Sequence, residues 1–398
     1  MRVGAIVFDP STVIDSSDRS MVALTGGWAS IGGTPARRIQ GIADLPTDVV
    51  WLTNLGYSAF FSTKLNLRAN FRNESWLRTS FEQIATEFGL GRNTGKAKET
   101  AEVASLIAHR VVTYSCTKLN IQVCRHTRLN DDYAEMMNLN HCRIPDVHYA
   151  IFETIAGHPH VSINQSVSFG RGTASSSTLR CNRLAYARRM LSHQVPPDTG
   201  WELVKQKLTN ADLERMDKPF LVRCRITNVK PIMAEALSWG SGSKSIREWL
   251  TDVEWRIVRE HAEVELRSVM VCEQGYASLD RYAQMLPHGV IDELSYSLGL
   301  VAEQVWTALM NKQPRASRIT GYPARAAWLR AIDRMQMFDY AQRMQSRRGV
   351  TLISYGMGNV VVRVPEGGIK AILDAAVDVG LVPPVASFME AKAMGAIA

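Results

Sequence analysis

The C-terminal part of the chain changes its apolar spacing twice, and this pattern constrains the fold more than any other feature. Apolar residues recur every three or four positions over Ala324–Gln345, which predicts a helix. Two apolar segments, residues 350–355 and 360–364, flank the turn sequence GMGN and predict a β-hairpin. Helical spacing returns over Ile369–Val379 and stops at Gly380. We therefore predict an α-β-β-α module.

The N-terminal half is predicted to mix one strand with helices. Residues 3–8 are a short apolar run closed by Asp9 and Pro10, which predicts a buried strand that ends in a turn. Helical spacing is found at residues 75–88 and 97–112.

A long helix is predicted in the middle of the chain. Ser245 and Glu248 have the spacing of a capping box, and an apolar stripe follows them. We expect this helix to continue to about Gly275, with another at residues 291–310.

Two stretches rich in turn formers predict the domain boundaries, at residues 161–177 and 311–323. The predicted fold class is α+β and helix-rich. It comprises a mixed α/β N-terminal unit at residues 1–175, a mainly helical middle unit at 176–312, and a basic α-β-β-α C-terminal module at 313–398.

Composition indicates a folded protein that stays in the compartment where it is made. Hydrophobic residues make up 46% of the 398 positions, enough for two or three compact cores. No charge-free stretch supplies the roughly 20 apolar residues that span a bilayer, and Asp9 interrupts the N-terminal apolar run before a secretory signal is complete. We expect an intracellular protein without membrane contact.

Cysteines and histidines are concentrated between His109 and His160. Structural zinc is usually held by close pairs of ligands, and no C-x-x-C pair is present. We therefore predict buried, reduced thiols and no metal site, and we predict no cofactor because no phosphate-binding loop or dinucleotide fingerprint is complete. Between its ends the segment contains Cys116, Cys124, His126, His141, Cys142, His148 and His158.

Positive charge is concentrated at residues 312–348. This segment carries nine basic and two acidic residues, a net +7, whereas the whole chain has a formal net charge of +8. Clustered guanidinium groups concentrate polyanions and can grip phosphate oxygens. We predict nucleic-acid contact through Arg325, Arg330, Arg334, Arg343, Arg347 and Arg348. The alternatives are a solvated surface, or arginines that pair with acids of the middle unit such as Glu254, Glu260, Glu263 and Glu265.

A second basic group, which surrounds Tyr186, is predicted to contribute to the same function. Arginine and aromatic side chains together can hold single-stranded nucleic acid through charge and stacking. An ordinary amphipathic helix, LAYARRML, is the alternative. The arginines of this group are Arg180, Arg183, Arg188 and Arg189.

The segment AIVFDPST at residues 5–12 resembles the first strand of RNase H-like and RuvC-like nucleases. The resemblance implies that Asp9 would hold Mg²⁺ in a metal-dependent nuclease. Two-metal hydrolysis needs further acids near the same ions, and the available acids follow no family spacing. A structural turn at Asp9 is the alternative. The available acids are Asp15, Asp18, Asp131, Asp132 and Glu153.

These observations lean towards a non-enzymatic protein that binds RNA or DNA through arginine-rich surfaces. Two alternatives stay open. One is a structural or assembly protein, of viral or other origin, that self-associates or binds protein partners, and the other is the nuclease.

Overall fold

The computed structural model describes residues 2–8, 25–55, 57–72, 96–122, 129–139, 141–157, 162–163, 175–230, 248–287, 295–315, 319–364 and 368–382. Within these ranges the chain forms eleven α-helices and fourteen strands, which confirms the predicted helix-rich α+β class. The helices are α1 (Tyr57–Ser62), α2 (Ala97–Leu119), α3 (Leu129–Met136), α4 (Asp146–Ala156), α5 (Arg183–Ser192), α6 (Asn210–Glu214), α7 (Asp252–His261), α8 (Asp280–Ala283), α9 (Ser295–Ala308), α10 (Ala324–Gln345) and α11 (Ile369–Val379).

Within the described ranges the strands form three four-stranded sheets and one two-stranded sheet. They are β1 (Arg2–Phe8), β2 (Thr25–Ile31), β3 (Arg37–Gly41), β4 (Val49–Thr53), β5 (Ser162–Ile163), β6 (Ser175–Arg180), β7 (Trp201–Leu203), β8 (Phe220–Thr227), β9 (Trp249–Thr251), β10 (Glu263–Cys272), β11 (Gln313–Pro314), β12 (Thr320–Gly321), β13 (Thr351–Gly356) and β14 (Asn359–Val364).

The chain divides into two compact units. The first contains Met1–Met136, Pro287–Gln304 and Pro384–Ala398, and the second contains Met137–Leu286 and Val305–Pro383. In the part of the chain that the structure describes, no helix is long and apolar enough to cross a membrane.

The first unit is built on a sheet with the strand order β3-β2-β1-β4, in which β1 is antiparallel to β2 and parallel to β4. Every residue of β1 after Arg2 is buried, so the predicted strand at residues 3–8 is confirmed. Helix α2 contacts β1 and β2, and the hydroxyls of Ser30 and Ser105 lie 2.7 Å apart across this contact. A buried apolar cluster that includes Phe8 and Trp51 completes the core.

The described part of the second unit contains two four-stranded antiparallel sheets, with the strand orders β7-β10-β8-β9 and β5-β13-β14-β6, and the antiparallel pair β11–β12. The β13–β14 pair confirms the predicted hairpin. Its turn residues Met357 and Gly358 have φ of 55° and 70°, the left-handed backbone that a two-residue type I′ turn requires. Because β6 pairs with β14, this sheet joins residues on both sides of the predicted boundary at residue 312.

Helix α10 lies in the interior of the second unit. It has the predicted bounds, Ala324–Gln345, and contacts β9, β13, β14 and four other helices. Sixteen of its 22 residues are buried, charged residues among them. A helix that is buried on most of its circumference needs partners for its polar groups, and these partners determine which arginines reach the surface.

The predicted long helix from Ser245 to about Gly275 is wrong. Residues 245–247 lie outside the described part of the chain, and the following residues form strand β9, helix α7 and strand β10. The capping box belongs to Thr251 and Glu254, which start α7 only at Asp252. Along β10 the side chains from Glu263 to Ser268 alternate between exposed and half-buried, which is the two-residue period of a strand.

Other predicted helices are confirmed or lie outside the description. The helix predicted at residues 97–112 is present and extends to Leu119, the one at 291–310 is present as α9, and the C-terminal helix has the predicted bounds Ile369–Val379. The helix predicted at residues 75–88 lies outside the described residues, as do Asp9 and the residues that follow it up to position 24.

Candidate nucleic-acid interface and adjoining cleft

Two of the predicted arginines, Arg330 and Arg334, are buried within the second unit. Arg330 is 7% exposed and Arg334 is 1% exposed. The Arg330 Nε atom donates to the carbonyl oxygen of Met310 at 3.1 Å, and its guanidinium lies 4.3 Å from the centre of the Tyr322 ring. Burial lowers the pKa of Arg330 to about 10. This side chain holds α10 against the end of α9 instead of facing solvent.

Arg334 forms a buried ion pair with Glu254, which is 0% exposed. The alternative prediction, that arginines of this helix pair with acids of the middle unit, is therefore confirmed for Arg334. Because the same carboxylate accepts from Thr251 at 3.1 Å, the pair ties α10 to the first turn of α7. Arg334 is thus removed from any solvent-facing surface.

Arg325 is less accessible than the sequence suggested. It is half-buried, and burial lowers the pKa of its guanidinium. Its neighbour Ala324 donates its backbone N–H to the Asp198 carboxylate at 2.7 Å, which fixes the start of α10 beside it.

Sequence reasoning missed the role of Asp333, which is 1% exposed. The Asp333 carboxylate accepts from the Tyr186 hydroxyl at 2.7 Å and from the backbone N–H groups of Met357 and Gly358 at 2.8 and 3.1 Å. Burial raises its pKa, and the three donors oppose that rise. Asp333 therefore fixes α5 and the β13–β14 turn to α10. At 100° per residue Asp333 lies opposite the predicted apolar face of α10, so the helical pattern gave no signal for this role.

Exposed arginines from the predicted set come together where α5 lies beside the C-terminal end of α10. Arg189 Nη1 donates to the Tyr340 hydroxyl at 3.2 Å, and the Arg343 guanidinium lies 4.7 Å from the centre of the same ring. Arg343 also pairs with Asp339 at 2.6 Å. We call Arg189, Arg343, Arg347 and Arg348, all exposed, the arginine cluster.

Carboxylates neutralise only part of the arginine cluster. Asp339 is 60% exposed, and Asp378 lies 3.8 Å from Arg347 with 62% of its own side chain exposed. Pairs between exposed groups are weak and are screened by salt, so the guanidinium groups can exchange them for phosphate. The charge also lies where the C-terminal dipole of α10 favours cations.

The remaining predicted arginines differ in exposure. Arg188 is exposed on α5, whereas Arg180 and Arg183 are half-buried at the end of β6 and the start of α5. The backbone N–H of Arg180 donates to the Val382 carbonyl at 3.2 Å. The helix LAYARRML is present as part of α5 and buries Tyr186 and Leu191, so the amphipathic alternative is confirmed for its structure.

A cleft of about 660 Å³ adjoins the arginine cluster and is bordered by α5, α7 and α10. Asp252 lines it and is 2% exposed. The Tyr276 hydroxyl donates to the Asp252 carboxylate, and the backbone N–H of Val253 donates to it at 2.8 Å. Burial nevertheless raises the pKa of Asp252 to about 6 and also raises the pKa of Tyr276.

His193 contributes a second titratable group to this cleft. Its Nε2 atom lies 2.7 Å from the Gln336 side-chain nitrogen. Burial, reinforced by the nearby charge of Arg189, lowers the pKa of His193. A neutral imidazole at this position can either donate or accept a hydrogen bond.

No group of three or more potential metal ligands lies together within the described ranges. The segment from His109 to His160 is described only in part, because Cys124, His126, His158 and His160 lie outside the description. Five cysteines are buried, as predicted: Cys116, Cys142, Cys181, Cys224 and Cys272. Burial and the charge of Asp333 raise the pKa of Cys181 to about 12, so this thiol is not poised as a ligand or nucleophile.

No protein-family model matches the sequence, and no curated protein matches it. Solved structures of Phi29 DNA polymerase match this chain at low similarity. A post-translocation complex with primer-template DNA matches with a TM-score of 0.45 and 11% sequence identity over 91% of this chain and 80% of that one. A complex with single-stranded DNA matches with a TM-score of 0.46 and 10% identity over 91% and 80%.

The polymerase matches require one correction. We leaned towards a non-enzymatic protein, whereas the matched structures are those of an enzyme, so that expectation is dropped. With TM-scores below 0.5, the similarity assigns no reaction, substrate or residue role to this chain.

Proposed function

We propose that this chain is a nucleic-acid-associated protein whose arginine cluster contacts the phosphate backbone. The observation that carries the proposal is the arrangement of Arg189 and Arg343 about Tyr340, one on its hydroxyl and the other over its ring. Guanidinium groups held in this way lose less rotational freedom when they bind phosphate. The arginine cluster continues to Arg347 and Arg348 at the helix end.

Burial narrows the proposal to part of the predicted set. Arg330 and Arg334 are occupied inside the fold and Arg325 is half-buried, so the proposal does not rest on these three. Arg188 is exposed next to Arg189 and extends the arginine cluster along α5. Arg180 and Arg183 lie at the margin of the arginine cluster. The proposal rests on this surface, independently of the polymerase matches.

Contact through phosphates predicts binding that is sensitive to salt and tolerant of sequence. The test is fluorescence anisotropy of labelled single- and double-stranded DNA and RNA at about 50 and 200 mM salt. We expect affinity to fall steeply between the two concentrations. Reversing Arg347 and Arg348 to Glu should reduce the slope of log affinity against log salt by about 2.

A matched control has the same charge change on other surfaces. Lys98 and Arg267 are exposed on α2 and β10, and the double variant Lys98→Glu/Arg267→Glu should retain most of the affinity. If both double variants lose affinity equally, binding reflects overall charge and the arginine cluster is not the contact surface. Light scattering on the same samples examines the self-association alternative.

A further inference from the structure

The cleft bordered by α5, α7 and α10 has the size and mixed lining of a small-molecule site. Its volume of about 660 Å³ lies within the roughly 300–1,000 Å³ that such sites occupy. Val253, Ile257, Ile332 and Met335 supply apolar surface, and polar side chains stand among them. An apolar surface with a few converging polar groups suits a flat, polar-edged ligand.

Gln336 offers this cleft an unused hydrogen-bonding atom. One polar atom of its amide contacts His193 Nε2 at 2.7 Å, while Oε1 is buried without a hydrogen-bond partner among the described residues. Exchanging the amide oxygen and nitrogen would leave the other atom unpaired, so the conclusion does not depend on their assignment. A buried polar atom without a partner costs free energy that a ligand can recover.

Two guanidinium groups give the cleft a positive side. Arg189 and Arg256 both line it and both are exposed. Arg256 donates to the Met216 carbonyl at 3.2 Å, which leaves further N–H groups for a ligand. Of the two acids in the lining, Asp339 is paired with Arg343 and Asp252 accepts from Tyr276. The Asp252 carboxylate keeps its charge, so the two arginines and the two acids of the lining balance, and an anionic group is favoured only at the guanidinium ends of Arg189 and Arg256.

We propose that this cleft binds a free nucleoside monophosphate. The phosphate lies at Arg189 and Arg256, the base packs on the apolar surface, and Gln336 hydrogen-bonds the edge of the base. A glutamine amide can form paired hydrogen bonds with a base edge. The proposal goes beyond backbone contact, because Arg256 and Gln336 do not belong to the arginine cluster.

Isothermal titration of the full chain with AMP, adenosine and inorganic phosphate tests the proposal. We expect AMP to bind at least about tenfold more tightly than either fragment, because only AMP uses both halves of the cleft. Arg256→Gln should weaken AMP by about tenfold and leave adenosine unchanged. Gln336→Leu should weaken both AMP and adenosine.

The variant Arg347→Glu/Arg348→Glu separates this proposal from the proposed function. It should lose affinity for nucleic acid and retain its affinity for AMP. The cleft proposal is overturned if AMP gives no binding, if phosphate alone binds as tightly as AMP, or if Arg256→Gln and Gln336→Leu both leave AMP affinity unchanged. Arg256 is exposed, so its variant should fold, and a thermal melt verifies this.

Discussion

The buried ion pair between Arg334 and Glu254 should contribute strongly to the stability of the fold, because each buried charge is compensated by the other. The variant Glu254→Gln tests this, because glutamine can still complete the capping box with Thr251 while the negative charge is lost. The Arg334 guanidinium then remains 1% exposed without its carboxylate. Breaking a buried pair in this way costs about 3–5 kcal/mol, a large part of the roughly 5–15 kcal/mol that stabilises a typical protein.

The measurement is urea unfolding followed by far-UV circular dichroism and by tryptophan fluorescence, which reports on Trp255 beside Glu254 among other positions. The control is Arg343→Met, which breaks an exposed pair on the same helix and should cost no more than about 1 kcal/mol. The double variant Arg334→Met/Glu254→Gln should be less destabilised than Glu254→Gln alone, because no charge is left buried. A loss below about 1 kcal/mol for Glu254→Gln would refute the reasoning.

Two further predictions concern buried carboxylates. Asp333→Asn should lower the free energy of unfolding in the same urea assay by about 2 kcal/mol, because an asparagine amide cannot accept from Tyr186, Met357 and Gly358 together. The control Asp339→Asn, on the same helix, should change the free energy of unfolding by less than about 1 kcal/mol. The pKa of Asp252 is raised in the folded state to about 6 from 3.8, so the folded protein binds more protons than the unfolded chain between these values, and this contribution to stability is present at low pH and lost as pH rises through about 6. Because of the Asp252 shift, we expect Asp252→Asn to reduce, by up to about 3 kcal/mol, the fall in unfolding free energy between pH about 4 and 7. The pKa of Asp333 is raised as well, so part of the fall should remain in this variant. An unchanged fall would contradict the assignment to Asp252.

Local sequence determined the C-terminal elements well because their signals are short-range. Pro323 and the helical spacing that follows it predict α10, and Gly380 predicts the end of α11. The predicted bounds of both helices agree with the observed ones. The sequence GMGN supplies the turn between β13 and β14. Each of these signals lies within a few residues of the structure that it predicts.

The region after Glu248 shows how a helical pattern can mislead. Leu250, Val253 and Ile257 have helical spacing across the junction of β9 and α7, although Leu250 belongs to the strand. The capping box that starts the helix is Thr251 with Glu254, six residues after the predicted box of Ser245 with Glu248. Short apolar runs fit both periods, so pairing of β9 and β10 with β8 determined the outcome.

The charge of the segment at residues 312–348 predicts its surface field poorly, because the sequence does not say which charges are buried. Arg334 is neutralised by Glu254, 80 positions away, and Arg330 is held by the carbonyl of Met310. Such partners are fixed by tertiary packing and leave no local signal. Exposed positive charge is found at the end of α10, where Arg343 and Arg189 of another helix meet at Tyr340 and where Arg347 and Arg348 follow. A prediction from net charge alone therefore assigned the buried and the exposed arginines of this helix the same role.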